Sequence, residues 1–187
     1  MKPYAVAAMA LLLTQPASAA QGLDDAVLAE LNYVRANPAR YADELRQGGS
    51  ATFAYEDPRA LDDAIDFLER QAPLPPLRRD GRLAASAQAH IRTQGPRGDV
   101  GHGGVALGQR LQKQGLWAGL AAENISYGFS DPADVIRQLV VDSGVATRGH
   151  RKNIFGQAFQ LAGVACGAHR VYGEMCVIDF AGAVVAR

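Results

Sequence analysis

The chain has 187 residues, 48% of them apolar and 20% charged, with 19 Lys and Arg against 19 Asp and Glu. This is ordinary globular composition. A formal net charge of zero, with the one basic cluster of Arg78, Arg79 and Arg82 broken by Asp80, excludes the counterion-release binding on which nucleic-acid proteins rely. In chain order, residues 1–20 read as a secretory signal peptide. Lys2 supplies the positive end, Ala5 to Thr14 the apolar run, Pro16 a helix breaker, and Ala17-Ser18-Ala19-Ala20 the small residues needed at a cleavage site. The run is about half the roughly twenty residues that cross a bilayer, and no second long apolar stretch follows. The mature chain, residues 21–187, is expected to be a single domain without a transmembrane segment, monomeric, and secreted or periplasmic.

Asp24 to Asn37 has the apolar spacing of an amphipathic helix, with Val27, Leu28, Leu31 and Val34 on one side. Asn37-Pro38 punctuates it, and Gln47 to Ser50 reads as a loop. A second helix is predicted over Arg59 to Gln71, followed by an extended connector through Pro73, Pro75 and Pro76. Asp80 to Thr93 is an alanine-rich helix, Gly95 to Gly104 a glycine-rich loop, and Leu107 to Gln114 a short helix stopped by Gly115. Trp117 reads as a core or hinge-packing residue. Ala121 to Tyr127 is a strand candidate. Ser130-Asp131-Pro132 opens a further helix with Val135, Ile136, Leu139 and Val140 inward. Leu161 to Ala168 and Glu174 to Val185 read as strands about a turn at His169 to Gly173. The order predicts an α+β fold, helices first and a small antiparallel sheet late.

That pairing places Cys166 opposite Cys176, near enough for a disulfide. In an oxidising compartment a lone cysteine pair is a bridge before it is a catalytic thiol.

Of the four histidines, His90 falls within a helix and reads as structural, and His169 sits in a turn and reads as solvated. His102 and His150 stand beside glycines in loops, where functional groups concentrate. Glu123 interrupts an apolar strand and must be paired, hydrogen-bonded or facing a cavity, because a lone buried carboxylate is costly. Two His and an acid could bind a metal or act as an acid/base pair, though no compact metal motif is present. No Gly-x-Ser-x-Gly elbow, phosphate loop or dinucleotide fingerprint occurs. Asn124, Arg148 and Asn153 read as loop- and cap-satisfying neighbours of these groups.

Seven short segments in a common order resemble the CAP superfamily of cysteine-rich secretory, antigen 5 and pathogenesis-related proteins. They are Leu31 to Pro38, Leu83 to His90, Gly101-His102, Ala122 to Ile125, Arg148 to Ile154, Ala162 to Ala165, and Val177 to Phe180. The resemblance implies an α-β-α sandwich with a cleft lined by two His and two acids. His102, Glu123 and His150 match three of these; Asp142 is the nearest residue to the second acid, where the family often has a glutamate on a Trp-containing helix. The implied function is an exported, non-enzymatic CAP domain whose cleft binds a ligand or divalent ion such as zinc, with His102 and His150 as the metal ligands. A small molecule, lipid or envelope component is the expected partner. Two alternatives stand beside it. One is a metal-assisted, peptidase-like hydrolase with Glu123 as general base. The other is an envelope or host interaction module acting through its surface.

Overall fold

The computed structural model describes residues 19–48 and 56–186; residues 1–18, most of the expected signal segment, lie outside the described residues. Helix α1 (Ala19–Ala36) turns Val27, Leu31 and Val34 into the core, the spacing of one helical face. Its Asp24 accepts the backbone N–H of Cys166 at 2.7 Å, fastening the helix to a distant strand. α2 (Pro38–Gly48) starts on a proline, which loses nothing at a first-turn position. It runs through Gln47 and Gly48, where the sequence predicts a loop. α3 (Pro58–Arg70) is capped by the Asp57 carboxylate, which takes the Arg59 N–H at 3.0 Å.

The proline connector is tied down rather than free. Asn32 accepts from the Leu77 N–H at 2.8 Å and donates to the Leu77 carbonyl at 3.1 Å. The buried Arg35 guanidinium donates to the carbonyls of Pro75 and Ile154, at 3.1 and 2.5 Å. A two-residue strand, β1 (Arg78–Arg79), leads into α4 (Gly81–Gln94), capped by Asp80. After a 3-10 turn come α5 (Leu107–Lys113), β2 (Leu116–Ala118), β3 (Ala121–Tyr127), α6 (Pro132–Val141) and α7 (Gly149–Ile154). The chain closes with β4 (Leu161–His169), β5 (Gly173–Ala181) and β6 (Val184–Ala186).

The main sheet has the order β1-β4-β5-β3, antiparallel except for β1, which runs parallel to β4. α4 covers one face, crossing β4 and β5, and α1 lies against β4 on the other, with α6 and α7 beside β3. This is the expected three-layer α-β-α arrangement. α4 approaches β4 so closely that a Cβ on Gly163 would stand 2.0 Å from the Ala84 nitrogen. Cys166 and Cys176 are directly paired in the β4–β5 register and joined by a disulfide, with Cα atoms 4.1 Å apart.

Three further expectations need correction. Glu174 to Val185 is not one strand: the ladder ends at Ala181, and β6 turns away to pair with β2 in a separate two-stranded sheet. Trp117 lies on β2 and is 38% exposed, because its neighbour Leu116 takes the buried side of the strand. His169 is not a solvated turn residue: it is 2% exposed. Its Nε2 donates to the Asp99 carbonyl at 2.9 Å, and its Nδ1 accepts the N–H groups of Val171 and Tyr172. β1 has no sequence signature at all, being made by its neighbour β4.

Candidate functional site

β3 forms one edge of the main sheet, and a cavity of about 540 Å³ lies over it, between the loop carrying His102 and the α6–α7 corner. Alternate strand residues share a face, so Glu123, Ile125 and Tyr127 reach the cavity together. Leu139 and Val145 add apolar wall, and His102, Asp142 and His150 complete it. All four sequence-predicted cleft residues therefore line one space.

His102 donates from Nδ1 to Glu123 Oε1 at 2.8 Å. The other carboxylate oxygen of Glu123 takes the Arg110 guanidinium, which also lies 3.6 Å from Asp179 Oδ1. Burial alone would push Glu123 up, but the hydrogen bond from His102 and the Arg110 charge hold its carboxyl below the usual range. Its hydrogen bond in turn raises the His102 imidazole above its ordinary value, against partial burial. Asp179, directly opposite Glu123 in the β3–β5 register, has 0% exposure, and neither of its oxygens has a hydrogen-bond partner of good geometry. Burial, and then the neighbouring Glu123 charge, push it up to about 8.

The loop holding His102 is fixed at several points. His90 donates from Nε2 to the Gly101 carbonyl and accepts from Arg110 at Nδ1, each at 3.2 Å; burial lowers its pKa, so it serves as a neutral spacer. The Tyr127 hydroxyl accepts the Gly101 N–H at 2.8 Å. Gln94 donates to the Gly103 carbonyl at 3.3 Å.

Asp142 works differently. It ends α6 in the left-handed region, at φ 56°, a conformation that Asp tolerates better than most residues. There its Oδ2 accepts the His150 N–H at 2.9 Å at the start of α7, and its Oδ1 accepts from His150 Nδ1 at 2.6 Å. Asn124 donates to the His150 carbonyl at 3.0 Å, and Asn153 to the Asn124 side chain at 2.8 Å. Arg148 reaches the Asp142 carbonyl at 2.7 Å and Asp63 at 2.9 Å. These three thus support the His150 wall.

Arg110, His90, Tyr127 and Asp179 were not singled out for the cleft from sequence. Asp179 carries the same signal as Glu123, a lone acid in the apolar strand Cys176 to Phe180. Arg110 stands one residue from Leu111 and three from Leu107 on a short helix, a cation on the inward side.

Each cleft imidazole spends Nδ1 on a carboxylate and keeps Nε2. Carboxylate partners of this kind orient metal-bound histidines. However, among the described residues no three His, Cys, Asp or Glu side chains converge as metal ligands, and a catalytic zinc takes three protein ligands. The donor set does not fit a resident catalytic zinc ion.

A family model, the cysteine-rich secretory protein family (CAP), matches residues 28–180. The chain belongs to this family. Among solved structures it is similar to a cysteine-rich secretory protein from Staphylococcus aureus, at TM-score 0.57 and 15% identity, covering 90% of this chain and 40% of that one. It is also similar to an extracellular SCP-domain protein from Bacillus anthracis, at TM-score 0.49 and 28% identity, covering 59% and 35% of the two chains. A third match is an outer surface protein from Borrelia burgdorferi, at TM-score 0.49 and 18% identity, covering 58% and 79%. The chain thus spans well under half of the Staphylococcus and Bacillus proteins. No curated protein matches it. Among the described residues no helix is long and apolar enough to cross a membrane.

Proposed function

We propose that this chain is an exported CAP-domain protein whose cleft binds a small organic ligand without transforming it. The observation that carries the reading is the cavity of about 540 Å³ with an imidazole–carboxylate pair at His102 and another at His150, set beside the apolar side chains of Ile125 and Leu139. Its size and its mix of apolar wall with a few placed polar groups suit a small-molecule site. The free Nε2 of each imidazole suits a ligand with an apolar body and a hydrogen-bonding or anionic group. Export is supported by the N-terminal charge, apolar run and small-residue site, together with the disulfide. N-terminal sequencing of the protein recovered outside the cytoplasm should read from Ala20 or Gln21.

The hydrolase alternative asks Glu123 to be a general base, and a base works best with its pKa near the working pH. Glu123 is instead held low and engaged by both Arg110 and His102. A divalent ion is the other reading of the cleft, with two imidazoles and water as its ligands. Two experiments separate these. In a thermal-shift screen of amphiphilic organic acids and alcohols, compounds that stabilise wild type but not His102→Gln/His150→Gln support the organic ligand. A screen in which every hit stabilises both proteins equally sinks it. Zinc calorimetry on wild type and His150→Ala should give no stoichiometric heat in either. A one-to-one heat lost in the variant would replace the organic ligand with a metal.

A further inference from the structure

A second cavity, of about 230 Å³, opens between α1, α2 and α6, lined by the carboxylates of Glu30, Glu44 and Asp134. Glu44 is engaged by the Tyr33 hydroxyl and by Arg40. The carboxylates of Glu30 and Asp134 have no partner among the described residues. Glu30 is half-buried, and burial, then the charges of Glu44 and Asp131, push its carboxyl above the usual range.

Acidic residues alone would say little, but Tyr41 adds an independent observation. It lines the same cavity and is only 5% exposed. Its hydroxyl sits in the field of Glu30, Arg137 and Glu44 and has no hydrogen-bond partner among the described residues. The side chain is buried while its hydroxyl stays open to the cavity, where a ligand can supply the hydrogen bond that a Tyr O–H usually makes. Arg137, the cation among the lining residues, donates to Glu56 at 3.1 Å and stands within the field of the Tyr41 hydroxyl, one cation against three lining carboxylates.

We propose that this cavity binds a primary alkylammonium group, the end of a free amine or of a lysine side chain. An ammonium carries three donors and no acceptor. Glu30, Asp134 and the Tyr41 hydroxyl are three acceptors in need of donors, and Leu45 provides apolar wall for the methylene stem. The volume falls below that of drug-sized sites and suits one narrow chain end. A bare metal ion needs several oxygens converged at coordination distance, and no three acidic side chains among the described residues are placed that way.

The test titrates two probes, cadaverine and Nα-acetyl-lysine methylamide, into the ¹⁵N-labelled chain and follows backbone amides. Both should saturate shifts at Tyr41, Leu45 and Asp134. Binding should weaken about tenfold or more in Glu30→Gln and in Tyr41→Phe, the loss of one charged or buried hydrogen bond, while His150→Gln leaves it unchanged. Saturation by cadaverine alone assigns a free amine, and by the lysine derivative a protein side chain. No saturable shift with either probe overturns the proposal. So does binding that both variants retain, or calcium displacing the amine one for one. Thermal unfolding checks that each variant is folded, and Asp134→Asn replaces any that is not.

Discussion

At the scale of single residues, Asp142 carries more than its place in the sequence suggests. It could be read as the nearest acid to a cleft, at a helix end, and that much was legible. Its left-handed backbone and its hold on the first N–H groups of α7 were not, because they depend on where α7 lies relative to α6. Replacing it with alanine removes three hydrogen bonds to a carboxylate, from the His150 N–H, the His150 ring and the Arg151 N–H, and leaves a Cβ residue at positive φ. The expected cost is about 2–4 kcal/mol in urea unfolding. Asp142→Asn keeps an acceptor and a side chain that tolerates this backbone, and should lose less than half as much. Equal losses would show that the carboxylate charge, rather than backbone strain, sets the energy. His102, Glu123 and His150 were legible because polar residues in glycine loops or apolar strands stand out. His169 misleads for the opposite reason: nothing in a turn sequence reveals that distant Asp99 will cover it.

At the scale of elements, helix starts were the most legible, since Asp57-Pro58, Asp80 and Asp131-Pro132 each place a capping carboxylate where the helix opens. The long strands β3, β4 and β5 were legible from their apolar runs. The short strands β1, β2 and β6 were not, because two or three residues carry no periodicity and exist only by virtue of a partner. The β4–β5 register was legible from the turn at His169 to Gly173, which sets Cys166 opposite Cys176, and a one-residue slip would part them. The contact between α4 and β4 rests on Gly163. Gly163→Ala would drive a methyl group into the α4 backbone, and helix backbone yields less readily than a side chain. The expected loss is about 3 kcal/mol or more, at the upper end for overpacking. A urea midpoint close to wild type would mean that α4 rides further from the sheet than described.

At the scale of the molecule, stability should follow the buried acids. Asp179 titrates at about 8 in the folded chain against 3.8 as an ordinary aspartate. Between those values the folded chain holds a proton that the unfolded chain has released, so this group's contribution falls as pH rises and is gone above about 8. Glu123, held low, acts in the other sense: its contribution is present above the ordinary glutamate range and lost as pH falls through its lowered value. Asp179→Asn, neutral at every pH, should therefore gain stability relative to wild type between pH 5 and pH 9. Urea midpoints that differ from wild type by the same amount at both pH values would show that Asp179 is already ionised at pH 5. The layout of the sheet also sets an order of assembly. Its two central strands, β4 and β5, lie late in the chain, and α1 and α4, more than sixty residues upstream of them, bury their apolar faces against them. An emerging chain thus has helices but no floor to lay them on until residue 181 is available. Up to that point it has no closed core, the state that the export proposed above would require of a chain passing a narrow pore, and the core closes only when the last long strand arrives.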